Sequence, residues 1–252
     1  MKSSSQLFTG KSEIYSCNRP NYPKAIINEI MKGTPMKQDS VIADIGSGTG
    51  ILTQQLLSYH VNVYAVEPNQ EMRSIAEKEL SDHVNFTSVN GTAENTNLDK
   101  GSIDLITVAQ AFHWFNRGAF RKECERILKS NGKVVIIYNH RIMEKINEEI
   151  HSVYKKYCPD FRGFSNGLAD TKEIYSEFFL NEDYITLKME HPIIYDRDGF
   201  IGRHLSASYV PKAGDTYYSL VVKELNGIFD RYEKGGKITV PNETVCRWGY
   251  VK

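Results

Sequence analysis

The chain has 252 residues, enough for one large α/β domain with a sizeable core. Lys plus Arg and Asp plus Glu number 31 each, so the formal charge is zero, which argues against a nucleic-acid-binding surface. Cys17, Cys124, Cys158 and Cys246 form no Cys-x-x-Cys pair, which argues against a zinc site or a disulfide framework and fits a reducing cytoplasm.

The first residues lack the apolar core of a signal peptide, and no apolar run approaches the ~20 residues of a membrane helix. A soluble, cytoplasmic protein without membrane contacts is expected. Residues 1–13 are polar. Tyr15-Ser-Cys-Asn-Arg-Pro-Asn-Tyr-Pro23 then carries two prolines that force extended or turn geometry, ahead of a helix with Ile26, Ile27, Ile30 and Met31 on one side.

The stretch Val41-Ile-Ala-Asp-Ile-Gly-Ser-Gly-Thr-Gly50 reads as a buried strand followed by a glycine-rich turn. It runs into a helical pattern over 51–57. Gly46, Gly48 and Gly50 allow a sharp turn and let a ligand lie against bare main chain. The spacing is Gly-x-Gly-x-Gly, with Ile51 where a dinucleotide fingerprint needs its third glycine. No Gly-Lys-Ser/Thr follows, so a phosphate-cradling loop of the P-loop kind is excluded.

The next strand, 61–66, ends at Glu67, roughly twenty residues beyond the glycine turn. A doubly wound sheet puts there the carboxylate that holds both ribose hydroxyls. Pro68 and Asn69 open a helix over 70–80. Strands follow at 84–89 and 103–109, then a helix over 117–129 and a strand over 133–138. This alternation predicts a parallel sheet with helices on both faces. The stretch from Ala109 to Phe115, with Gln110, His113 and Trp114, falls at the carboxyl end of its strand, where open α/β sheets bind ligands. Phe112 and Phe115 read as core, and His113 and Trp114 as residues facing the site.

Farther on, helical spacing covers 141–157 and 171–180, and 183–195 alternates as a strand. Helices are expected over 198–209 and 217–232, and the tail over 237–251 contains a last strand.

Asp44-x-Gly46-x-Gly48-x-Gly50, Glu67, Gly91-Thr-Ala-Glu94 and Asp104-Leu-Ile-Thr-Val-Ala-Gln-Ala-Phe-His-Trp114, taken together, resemble class I S-adenosylmethionine-dependent methyltransferases. The type 11 group, which includes trans-aconitate methyltransferase-like proteins, is the nearest resemblance. It covers roughly residues 12–140 well and the rest loosely. It implies a Rossmann-like, doubly wound, seven-stranded sheet, mostly parallel with an antiparallel C-terminal strand, plus a helical cap. The whole chain is then one domain: 1–34 covers the cofactor, 35–140 is the cofactor-binding core, 141–236 holds the cap helices and a late strand, and 237–252 is the final strand.

The resemblance also implies a site. Its cofactor set is Tyr15, Arg19, Asp44, Gly46, Gly48, Gly50, Glu67, Pro68, Thr92, Ala93 and Gln110, with Arg19 offering its planar fork to the methionine carboxylate. Thr92 and Ala93 fall where the adenine is expected, although Thr92 stands where the wider family often has Asp. Trp114, Arg203, Ser206 and Tyr209 join His113 as candidates for the acceptor pocket, with His113 as the candidate proton acceptor.

The reaction read from this is methyl transfer from S-adenosylmethionine to a small molecule, at oxygen, nitrogen or a carboxylate, by in-line displacement and mainly through positioning. No metal is called for. The partner is the small-molecule acceptor, and the chain is a monomer or homodimer. A cofactor-binding sensor without transfer activity needs the same cradle and is the alternative; a nicotinamide-dependent oxidoreductase is a distant third.

Overall fold

Residues 20–34, 36–37, 39–164 and 171–252 are described by the structure, a computed structural model. Tyr15 and Arg19 lie outside the described residues. In chain order the elements are α1 (Lys24–Gly33), β1 (Val41–Ile45), α2 (Ile51–Leu57), β2 (Asn62–Val66), α3 (Gln70–Glu79), β3 (Phe86–Val89) and β4 (Ile103–Ala109). A 3-10 turn, Phe112–Trp114, precedes α4 (Arg117–Ile127) and β5 (Leu128–Arg141). Then come α5 (Lys145–Tyr157), α6 (Lys172–Phe178), β6 (Tyr184–Glu190), β7 (Ile193–Tyr195), α7 (Arg197–Leu205), α8 (Tyr218–Tyr232), β8 (Ile238–Val240) and β9 (Asn242–Gly249).

Seven strands form one sheet in the order β3-β2-β1-β4-β5-β9-β6. Neighbours from β3 to β5 are parallel, and β9 runs antiparallel to both β5 and β6. This is the sheet expected from the sequence. Adjacent residues of the central strands serve opposite faces, as the two-residue period requires. Ile42, Leu105 and Val135 pack with Ile26, Ile30, Leu52 and Leu56 of α1 and α2. Ala43, Ile106 and Ile136 pack with Phe120 and Cys124 of α4 and Phe178 of α6. Both faces being covered explains why these strands read as apolar runs.

The chain order reverses between β1 and β4, opening a crevice at the carboxyl ends of the strands where ligands bind in such sheets. Over the β5 side of that crevice sits a cap of α5, α7 and α8 with the two-stranded pair β7-β8. Its own core contains Ile150, Tyr154, Phe200, Leu225, Ile228 and Phe229.

The structure departs from the sequence reading at several boundaries. The strand expected over 183–195 is two strands: His191 still donates its N–H to the carbonyl of Asn242 at 2.8 Å, but Pro192 has no N–H with which to continue. β6 stays in the large sheet and β7 pairs with β8 in the cap. The helix expected to run to 129 stops at Ile127, because Leu128 turns extended and pairs with Ile103. Arg141 ends β5 instead of opening a helix, and α7 ends at Leu205, where Ser206 donates its hydroxyl to the carbonyl of Arg203 at 2.8 Å.

Candidate functional site

The site begins where β1 runs into its glycine turn. Gly46 has φ +68°, and a Cβ there would lie 2.8 Å from the Ala111 side chain, so only glycine suits the position. Gly48, at φ +59°, is different: a Cβ would meet only the Met72 sulfur, at 3.9 Å. A side-chain carbon would fit there without a clash, so the positive φ alone calls for glycine. Beside it, the Ser47 and Thr49 hydroxyls are buried without a hydrogen-bond partner among the described residues.

Glu67 follows the last residue of β2, 7 % exposed. Its Oε2 accepts the N–H of Gly48 at 2.9 Å, and its Oε1 accepts the N–H of Asn69 at 2.8 Å. Burial pushes its carboxyl above the ordinary carboxylate range, while the two backbone donors hold it down in part. Each oxygen has lone-pair capacity left for a further donor. Asn69 in turn accepts the N–H of Met72 at 3.0 Å, so the residues after Pro68 are locked into α3.

Asp44 takes a different place from the one expected of a cofactor contact. It is 1 % exposed, with Thr53 donating to Oδ2 at 2.7 Å and Thr107 to Oδ1 at 2.9 Å. It braces β1 to α2 and β4 beneath the turn. With no cation beside it, burial raises its pKa to about 6.

After β3, Ala93 is buried and Thr92 exposed. The Thr92 hydroxyl accepts the N–H of Asn95 at 3.1 Å, forming a tight turn. Its anchor was not legible in the sequence: Glu123, on α4, accepts both the N–H of Thr96 at 2.8 Å and its hydroxyl at 2.6 Å. Arg126 hydrogen-bonds the same carboxylate, and together these hold Glu123 down to about 2. Glu94 is also a tie: it accepts the N–H of Asn116 at 2.8 Å.

At the end of β4, Gln110 adopts φ +56°, an uncommon conformation for a residue with a side chain. Its amide donates to the carbonyl of Asn139 at 3.2 Å. Gln110 lines a cavity together with Tyr22, Asn139, Arg141, Tyr195 and Arg203. The wall at Tyr22 is fixed, because its N–H and carbonyl bond the Gln55 side chain of α2 at 3.0 and 2.8 Å.

Of the predicted acceptor residues, Arg203 lines this cavity. Ser206 is fully buried as the cap of α7, and the Tyr209 ring packs on Tyr154 and Phe161 in the cap core. Those two positions answer to packing, since the Ser-Ala-Ser-Tyr run lies just past a helix end and over an aromatic cluster. His113 and Trp114 are half-buried in the 3-10 turn, their rings 4.6 Å apart. Tyr138 holds His113 twice, accepting its N–H at 3.0 Å and lying 3.1 Å from Nδ1. Phe112 is core, as expected, and Phe115 packs against that core.

Among the described residues no cluster of three or more His, Cys, Asp or Glu side chains is placed to hold a metal, and no helix is long and apolar enough to cross a membrane.

Sheet order, glycine turn and strand-end carboxylate resemble those of class I S-adenosylmethionine-dependent methyltransferases. Residues 43–136 match the methyltransferase domain family, and this segment is a methyltransferase domain of that class. A Dictyostelium discoideum protein named as a methyltransferase is 33 % identical over 182 residues, covering 72 % of this chain and 65 % of the relative. An uncharacterised methyltransferase-like protein of Schizosaccharomyces pombe is 32 % identical over 163 residues, covering 62 % of each. The chain thus spans somewhat less than two thirds of these relatives' length. A solved structure described as a type II methyltransferase, from Anaeromyxobacter dehalogenans, superposes with a TM-score of 0.67 at 19 % identity, over 92 % of this chain and 98 % of that one. That likeness concerns the fold.

The cofactor of this class is S-adenosylmethionine, and the residues fit it: two buried hydroxyls, Ser47 and Thr49, without a partner among the described residues, and beside them a buried carboxylate with lone pairs to spare.

Proposed function

We propose that the protein transfers a methyl group from S-adenosylmethionine to a small-molecule acceptor held between the sheet and the cap. The observation that carries this reading is the braced carboxylate of Glu67 beside the glycine turn, in a domain of the methyltransferase family. The bound cofactor would supply a methyl group already activated on a sulfonium centre.

The chain's own residues have modest work. Glu67 would take the two ribose hydroxyls, Gly46, Gly48 and Gly50 would seat the chain of the cofactor, and Thr92 and Ala93 would flank the adenine. Pro68 and Gln110 would complete the walls, and Tyr15 and Arg19, outside the described residues, would cover the methionine end. The cavity at Gln110 and Asn139 would hold the acceptor in line and exclude water. His113 would accept a proton from a hydroxyl or amine acceptor, with Trp114 beside it. Such a catalyst needs alignment more than acid–base chemistry, which suits a cavity with no Asp or Glu among its described lining residues.

Two measurements test the reading. Calorimetry should detect S-adenosylhomocysteine and not NAD, and incubation with labelled S-adenosylmethionine and a metabolite extract should label a small molecule. Binding of neither sulfur nucleoside would overturn it.

A further inference from the structure

Among the described residues, the acceptor side of the cavity is lined by two arginines and by no carboxylate. Arg141 comes from the end of β5, and Arg203 from the last turn of α7, on the cap. Among the described residues no Asp or Glu lines the cavity. Neither guanidinium forms an ion pair or hydrogen bond among the described residues. Arg141 lies over the Phe164 ring, its Cζ 4.3 Å from the centroid, so its planar face is fixed and its edge is left to donate. Burial lowers the Arg141 pKa, and the nearby charge of Arg203 lowers it further. Two like charges brought together in a half-buried cavity repel, and an anion between them turns that repulsion into attraction.

We propose that Arg141 and Arg203 form a subsite for an anionic group, carboxylate or phosphate, on the acceptor, and that the bound anion ties the cap to the sheet. This rests on the methyltransferase reading for the word acceptor, although the anion site itself does not. Two planar forks from different layers suit a group with two or three oxygens, each fork taking its own pair. The Tyr195 side of the cavity and Asn139 add neutral polar groups around it. A small acid is therefore the substrate class: one anionic group anchored between the arginines, and the methyl-accepting atom toward Gln110. Without an anion the two guanidinium groups push sheet and cap apart. With one, they close on it.

The test uses the full chain with S-adenosylhomocysteine present, and succinate and inorganic phosphate as probes. Calorimetry should show at least one of them binding with a dissociation constant of about 10 mM or tighter. Arg203→Gln and Arg141→Gln should each weaken that probe by about tenfold or more, as expected for loss of hydrogen bonds to a charged group, and Arg203→Lys by less. The probe should also slow proteolysis of the cap in the wild-type protein and not in Arg203→Gln.

Folding is checked separately: Arg203→Gln removes one of two repelling charges, so its melting temperature should match or exceed the wild type. Binding by succinate alone assigns a carboxylate, and by phosphate alone a phosphoryl group. If neither probe binds, or if both bind the variants as they bind the wild type, the proposal falls. If the variants lose S-adenosylhomocysteine instead, the arginines serve the cofactor and the proposal falls as well. Failure of the wild type to bind S-adenosylhomocysteine would count against the methyltransferase reading alone, because the probes can be measured without it.

Discussion

The backbone N–H of Gly48 donates to Oε2 of Glu67 at 2.9 Å, tying the glycine turn after β1 to the carboxylate after β2. One contact thus fixes the glycine turn and the strand-end carboxylate relative to each other. On the proposed role, Glu67→Ala removes the acceptor for two ribose hydroxyls, and it leaves the Gly48 donor loose. At ~1.5–3 kcal/mol for a hydrogen bond to a charged group, S-adenosylhomocysteine should bind at least about tenfold more weakly. Calorimetry on the folded variant decides it, and unchanged affinity would remove Glu67 from the site.

Asp44 sets a pH dependence of stability. Its pKa rises from 3.8 to about 6 on burial, so the folded protein holds this proton where the unfolded chain has lost it. The contribution is fully present below about pH 4 and is lost as pH rises toward 6. Its size is on the order of 2–3 kcal/mol. Above pH 6 it is flat. Asp44→Asn cannot ionise, so melting curves from pH 4 to 7 should lose that part of the slope. An identical slope in the variant would show that the folded carboxyl titrates normally.

Glu123 acts with the opposite sign. Hydrogen bonds from Arg126 and Thr96 hold its carboxyl down to about 2, so its contribution is present above about 4.5 and is lost as pH falls toward 2. Glu123→Ala leaves the buried Thr96 N–H without its acceptor, at a cost of about 1–3 kcal/mol. Because Thr96 closes the loop that carries Thr92 and Ala93, the variant should also bind S-adenosylhomocysteine more weakly. Chemical denaturation and calorimetry measure the two effects, and a loss of stability with full affinity would make Glu123 a brace without bearing on the adenine.

The strand, turn and helix around the glycines were legible because their signals are local. A strand, a glycine turn and a helix follow one another within Val41 to Leu57, and Glu67 closes the next strand. Glu123 was hidden because its partner Thr96 lies 27 residues away, and nothing in an Arg-Lys-Glu-Cys-Glu-Arg helix marks one carboxylate as buried. Asp44 was misplaced for a related reason: a motif aspartate next to a ligand turn reads as a contact until Thr53 and Thr107 are seen to occupy it. In the cap, residues were chosen by type, yet burial separated them. Arg203 remained at the cavity, while Ser206 and Tyr209 turned into the packing. From the sequence Arg141 and Arg203 could be named as residues to position a carboxylate acceptor, but not placed together; the structure puts Arg141 at the carboxyl end of β5, the general ligand edge of such sheets, with Arg203 lining the same cavity.

His113 is the residue whose role a mutation series separates best. Its backbone and Nδ1 are both held by the Tyr138 hydroxyl, so the ring is oriented before any acceptor arrives. A neutral imidazole can take a proton from a hydroxyl or amine acceptor. An acceptor methylated on a carboxylate is already ionised and gives it none to take. For a hydroxyl or amine acceptor, His113→Gln should lower turnover by roughly 10²-fold or more with little change in cofactor affinity, and the acidic limb of the pH–rate profile should disappear. Tyr138→Phe keeps the imidazole but frees its orientation, so turnover should fall less and the acidic limb should persist. For a carboxylate acceptor, His113→Gln should mainly raise the acceptor's KM and leave the limb in place. If neither kcat nor KM moves in His113→Gln, the residue only packs against Trp114 and Tyr138, and the acceptor chemistry belongs to the cavity between Gln110 and Arg203.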